Sequence, residues 1–150
     1  MANRGPYFYD TSIVWREKRR GEASSPGLPP LSFSTPPEFS GEAGFWSPEH
    51  LYVLSAETCL MATFVAIAEI SKLAVRAYSS SAKGKLEWVE GEGLKFTEIE
   101  LRPLVEVEKE ADRERALRLM EKAEKNCLIG RSMNTRLVVH PEVRAVATAA

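Results

Sequence analysis

The chain has 150 residues, 44% hydrophobic and 27% charged, with a formal net charge of −1. That is the make-up of one soluble globular domain over residues 1–150, or of one subunit in a compact oligomer. A balance so close to neutral supplies no basic field to gather nucleic acid or anionic lipid, so neither is expected as a partner.

The opening residues, Met-Ala-Asn-Arg-Gly-Pro-Tyr-Phe-Tyr-Asp, contain no apolar signal core, and a reducing, cytoplasmic setting is expected. Tyr9 to Glu17, with Ile13, Val14 and Trp15, reads as a first strand, and Arg16-Glu17-Lys18-Arg19-Arg20-Gly21 as a basic turn after it. Leu31 to Ser34 alternates like a short strand. Pro36, Pro37, Gly41 and Gly44 then mark irregular backbone.

Ser47-Pro48-Glu49 is a helix start: a capping hydroxyl, proline at the first helical position, and an acid at the positive end of the dipole. The helix is expected to run to about Leu73. Leu51 to Ile70 is about the length of a membrane span, but Glu57 and Glu69 inside it favour a buried helix. Its apolar residues occupy most of the circumference, more than a chain of this size can cover, which points to burial shared in a homodimer.

Val75 to Val89 and Leu94 to Glu108 read as an antiparallel pair joined at Glu90-Gly91-Glu92-Gly93, and Pro103 predicts an edge or a bulge. Ala111 to Asn126 patterns as an amphipathic helix. Cys127 closes its apolar face and Gly130 marks its end. Arg136 to His140 reads as a last strand, and the chain after Pro141, with the domain's tail from about 143, reads as frayed. The sum is an α+β domain.

Two cysteines, Cys59 and Cys127, are too few to be the staple of a domain this large. They are either inert core residues or an attacking thiol with a resolving partner. Cys59 lies roughly three turns into its helix, too far from the helix start to gain acidity there. A thiol buried in apolar surroundings has a raised pKa, so reactivity at Cys59 calls for a cation. Arg16, Arg19 and Arg20 are the candidates, although a solvated turn also explains them. Glu49 likewise has a sufficient role as a first-turn acid. Ten helical residues span about 15 Å, so Glu49 and Cys59 of one straight helix meet only through a long arginine, a kink or a second subunit. His50 and His140 have no further ligands nearby in sequence for zinc. No phosphate-cradling glycine loop or Gly-x-Ser-x-Gly motif occurs.

Ser47-Pro48-Glu49-His50-Leu51, then Ala56-Glu57-Thr58-Cys59-Leu60, and later Ala123-Glu124-Lys125-Asn126-Cys127 together resemble the OsmC/Ohr family of thiol-dependent peroxidases, from about Trp15 to Val143. The resemblance implies an OsmC-like α+β fold, antiparallel sheets around a long central apolar helix, in an intertwined homodimer. It implies Cys59 as the peroxidatic thiol, Cys127 as the resolving thiol, and Glu49 as the carboxylate orienting a catalytic arginine. The Arg-x-Gly placement fits Arg19 best, with Arg16 and Arg20 as alternatives. The activity implied is reduction of organic, including fatty-acid, hydroperoxides to alcohols. The resemblance also implies no bound cofactor and an external dithiol reductant of the lipoyl type carried on a protein. Leu51, Phe64 and Trp46 are the expected apolar walls. Phe45-Trp46, His50-Leu51-Tyr52 and Leu128-Ile129-Gly130 depart from the family's usual residues and leave the substrate open. The rival reading is a non-enzymatic dimeric module that binds an apolar ligand and keeps both cysteines as core residues.

Overall fold

A computed structural model describes residues 4–146. The chain divides into two compact units, Met1–Leu51 and Tyr52–Ala150.

The first unit is built on a three-stranded antiparallel sheet, in the order β1 (Ser12–Glu17), β2 (Arg20–Ser24) and β3 (Leu31–Ser34). β1 is shorter than the strand expected from Tyr9, and every one of its residues is exposed, including Ile13, Val14 and Trp15. Lys18 and Arg19 form the β1–β2 turn, with Lys18 in the left-handed region and its carbonyl accepting a hydrogen bond from Trp15 Nε1 at 2.9 Å. Ser34 N–H donates to the Trp46 carbonyl at 2.9 Å, so the irregular stretch returns beside β3 before the long helix. Ser47 then caps that helix: its Oγ accepts from the His50 N–H at 3.1 Å.

Helix α1 (Pro48–Ile70) continues into the second unit. There β4 (Val75–Val89) and β5 (Gly93–Val107) make a long antiparallel hairpin, with Gly91 and Gly93 supplying the positive φ of the turn. β5 is the central strand. Beyond β4 on one side, it pairs on the other with β6 (Arg136–Val139) and β7 (Glu142–Ala145), both parallel to it. The sheet is therefore mixed, which corrects the expectation of purely antiparallel sheets. β7 also corrects the frayed tail: Val143 is buried, pairs with Val105, and its carbonyl accepts from Arg113 Nε at 3.1 Å.

Alternation along β5 makes the core. Ile99, Leu101, Pro103, Val105 and Val107 are buried, while Arg102 faces water and Glu100, Leu104 and Glu106 are partly exposed. Pro103 sits in neither an edge strand nor a bulge. It follows the stretch paired with β6 (98–101) and precedes the stretch paired with β7 (104–107), so its missing N–H falls where that ladder is interrupted. Against this face lie Ala56, Leu60, Phe64 and Ala68, an i, i+4 stripe of α1, and Ala116, Met120 and Ala123 of α2 (Arg113–Asn126). Gly84 of β4 is needed for close approach, since a Cβ there would lie 2.4 Å from Val53 Cγ2.

The expectation of a helix buried on most sides is not met within one chain. α1 is long and apolar enough to cross a membrane by length and composition, yet it buries only that stripe. Met61, Val65 and Ile70 are 42%, 43% and 82% exposed. The second helix also differs at its ends: a 3-10 turn (Glu110–Asp112) precedes α2, and Gly130 lies inside a further short helix, α3 (Leu128–Ser132), rather than at a helix end.

Phe64 is fully buried and its ring stacks on Tyr78, 5.8 Å between centroids. Phe64→Ala is expected to cost about 3–5 kcal/mol in urea unfolding; a loss under about 1 kcal/mol would contradict this packing.

Candidate active site

Cys59 lies on the partly exposed flank of α1, next to the buried Leu60. Thr63, one turn on, donates to the Cys59 carbonyl at 2.7 Å, which brings its Oγ1 to 3.9 Å from Cys59 Sγ. Cys127 reaches the same place from the other side. It stands between α2 and α3 with extended backbone (φ −65°, ψ 107°), so the chain leaves one helix, turns through Cys127 and starts another. Thr135 fixes the chain beyond α3, donating to the Phe96 carbonyl at 3.2 Å and sharing a 2.5 Å hydrogen bond with the Tyr52 hydroxyl. Gly130 lets α3 lie close to β6, because a Cβ there would be 2.7 Å from Leu137 Cδ1 and 3.5 Å from Cys127 Sγ.

This turn makes the two thiols unequal. Burial opposes ionisation of Cys59, but the Ile129 N–H, the Cys127 thiol, the Thr63 hydroxyl and the Leu128 N–H all act on its sulfur, and its pKa is lowered. Burial is also the largest influence on Cys127. The Gly130 and Ile129 N–H groups offset it only partly, Cys59 adds to it through hydrogen bonding and charge, and the Cys127 pKa is raised. Of the two thiols, Cys59 is therefore the one that ionises first.

Sequence reasoning asked for a cation at Cys59. The groups that lower its pKa are the Ile129 and Leu128 N–H donors at the start of α3, together with the Cys127 thiol and the Thr63 hydroxyl, and α3 was hidden because Gly130 read as a stop. A cysteine followed by enough residues for one more turn was the available signal.

The other expected residues, Arg19 and Glu49, belong to the first unit. Its three turn arginines separate clearly. Arg16 pairs with Glu22 at 3.1 Å. Arg20 pairs with Glu17 and with Glu42, and its guanidinium lies over the Phe45 ring, 5.3 Å from the centroid. The Arg20 Nε contact to Glu42 is at ion-pair distance, 3.0 Å, but off the hydrogen-bond direction. Arg19 is exposed in the turn. Glu49 is in the first turn of α1 with Oε2 buried and without a hydrogen-bond partner, so Arg19 and Glu49 are not joined here. His50 is held by Ser47 (Oγ to Nδ1, 2.6 Å) and lies edge-on to Trp46, with centroids 6.3 Å apart. Phe64 is too deeply buried to be a substrate wall, a correction to its expected place. Among the described residues, no group of three or more His, Cys, Asp or Glu is arranged to hold a metal ion.

Compared with known proteins, residues 41–142 match the family model of OsmC-like proteins. The chain belongs to the OsmC-like family. Among solved structures it is similar to an OsmC-like protein of unknown function from Vibrio cholerae, with TM-score 0.84 and 20% identity over 91% of this chain and 99% of that one. It is also similar to an organic hydroperoxide resistance protein OsmC from Legionella pneumophila (TM-score 0.74, 20% identity, 94% and 99% covered). A third is an organic hydroperoxide resistance protein from Elizabethkingia anophelis (TM-score 0.75, 18% identity, 96% and 100% covered). At these identities the likeness establishes the OsmC-like α+β fold. No curated protein matches the sequence.

In this OsmC-like protein the inequality of the thiols is directly measurable. Alkylation of the folded protein with iodoacetamide is expected to modify Cys59 with a pH midpoint below the free-cysteine value of about 8.5, and to leave Cys127 untouched until unfolding. Modification of both at similar rates would contradict the assignment.

Proposed function

We propose that this protein is a cysteine peroxidase that reduces organic hydroperoxides to alcohols. One observation carries the reading: a Cys59 thiol of lowered pKa set against a buried Cys127 of raised pKa, a nucleophile beside a thiol held in reserve.

The Cys59 thiolate attacks the terminal peroxide oxygen, forming an S–O bond as the O–O bond breaks. The alkoxide leaves and takes a proton to become the alcohol, and Cys59 is left as a sulfenic acid. The Leu128 and Ile129 N–H groups hold charge at the sulfur throughout. Cys127 then displaces hydroxide from Cys59, giving a disulfide and water. An external dithiol, of the lipoyl type implied by the resemblance, restores the pair by exchange. Leu128, 64% exposed beside the pair, favours an organic hydroperoxide over hydrogen peroxide. The names of the Legionella and Elizabethkingia proteins agree with that substrate class.

The proposal includes the parts that the resemblance gives Glu49 and Arg19. Arg16 and Arg20 are engaged by carboxylates of their own sheet and loop, which favours Arg19 as the arginine available for the reaction. It also includes a homodimer, supported by the uncovered apolar residues of α1 and β1. Light scattering should then give twice the 16.7 kDa chain mass, and a monomer at micromolar concentration would contradict the dimer.

The decisive test is titration of the reduced protein with one equivalent of cumene hydroperoxide, read by intact mass. The wild type should lose two hydrogens, Cys127→Ser should stop with one added oxygen, and Cys59→Ser should not change. Unchanged mass in the wild type would favour the ligand-binding module, with both cysteines as core residues.

A further inference from the structure

The chain that follows Cys127 is tied down at a second place. Thr135, the last residue before β6, is buried, and its hydroxyl donates to the Phe96 carbonyl at 3.2 Å. That uses its one proton, so in the 2.5 Å contact with Tyr52 the Tyr52 hydroxyl is the donor and Thr135 Oγ1 the acceptor. Tyr52 precedes Cys59 on α1 by about two helical turns, which sets both residues on one face of the helix. Its ring stacks on Phe96, 5.0 Å between centroids, and Gly84 leaves room there, since a Cβ would lie 2.8 Å from Phe96 Cε1. Helix α3, five residues long, thus runs between two attachments: Cys127 at its start, and Thr135, bonded to α1 and β5, just beyond its end. A helix this short has little stability of its own, so its place is set by its anchors. Phenylalanine at 52 would serve the ring packing equally well. What the hydroxyl adds is a bond from the Cys59 helix to the far end of α3.

We propose that Tyr52 is a positioning residue for the thiol pair: its hydroxyl, through Thr135, pins the end of α3 to the helix that carries Cys59 and so holds the Leu128 and Ile129 N–H groups at the Cys59 sulfur. The inference deepens the peroxidase reading by naming a residue that acts through another, and its test uses no peroxide. Without the Tyr52 hydroxyl, Thr135 still bonds the Phe96 carbonyl and β6 keeps its ladder with β5. The loss therefore falls on α3. Its N–H groups draw away from the sulfur, the thiolate loses hydrogen bonds that favour the charged form, and the Cys59 pKa rises.

The experiment is iodoacetamide alkylation of Cys59 as a function of pH in wild type, Tyr52→Phe, Thr135→Val and Thr135→Ser, with urea unfolding of each. Tyr52→Phe keeps the ring on Phe96 and should react about threefold more slowly at pH 7, with the midpoint moved upward. Thr135→Val should do the same, whereas Thr135→Ser, which keeps the hydroxyl, should return the wild-type profile. Lower stability of Tyr52→Phe with an unmoved pH profile would make the bond merely structural and overturn the inference. Should Tyr52→Phe fail to fold, the contrast at Thr135 decides: equal midpoints for Thr135→Val and Thr135→Ser would overturn the inference as well. Cumene hydroperoxide is then added to the wild type as a separate run. A protein inert to it, whose alkylation midpoints nonetheless move as expected, would refute the peroxidase reading and leave the role of Tyr52 standing.

Discussion

The structure turns on how a buried thiol is accommodated where two helices fail to join. Cys127 is 1% exposed and cannot hold charge easily, yet its extended backbone restarts the chain as α3 and directs the first N–H groups of that helix at a different sulfur. The Leu128 and Ile129 N–H groups act on Cys59, which is partly exposed, while Cys127, on which Ile129 and Gly130 also act, keeps a raised pKa. Burial raises the pKa of both thiols. Only Cys59 receives enough hydrogen bonds to reverse that effect.

Everything in the second unit serves to hold this turn. The alternating face of β5 packs against both α1 and α2, which fixes Cys59 and Cys127 as neighbours although 67 residues lie between them in the chain. Parallel pairing of β6 and β7 with β5 anchors the chain after α3, and Gly130 allows α3 to lie against Leu137 without a clash. A shift of an ångström or so in α3 would lengthen the N–H contacts to Cys59 enough to weaken them sharply.

Much of the fold was legible because its signals were local and consistent. The Ser47-Pro48 cap and the two long strand runs around Gly91 and Gly93 each point to one answer. What escaped depended on long-range partners. Glu142–Ala145 carries no strand signal strong enough to outweigh Pro141 beside it, and becomes a strand only because β5 offers it an edge. Pro103 read as an edge marker because nothing local reveals that two short strands, not one, flank β5. The apolar girth of α1 suggested all-round burial, whereas a single chain covers only the stripe from Ala56 to Ala68. Cys59 and Cys127 were readable as a candidate pair, and the structure sets the two thiols beside each other. The source of their inequality was not readable, since backbone N–H groups leave no trace in side-chain composition.

The most direct measurement is the ultraviolet thiolate titration of Cys59 in the folded protein, compared with Gly130→Val, whose side chain would push α3 away from Leu137 and Cys127. A wild-type midpoint below the free-cysteine value of about 8.5, moving upward in Gly130→Val, is the expected result. A midpoint at or above that value in the wild type, or one indifferent to the displacement of α3, would contradict the claim that the α3 backbone lowers the Cys59 pKa.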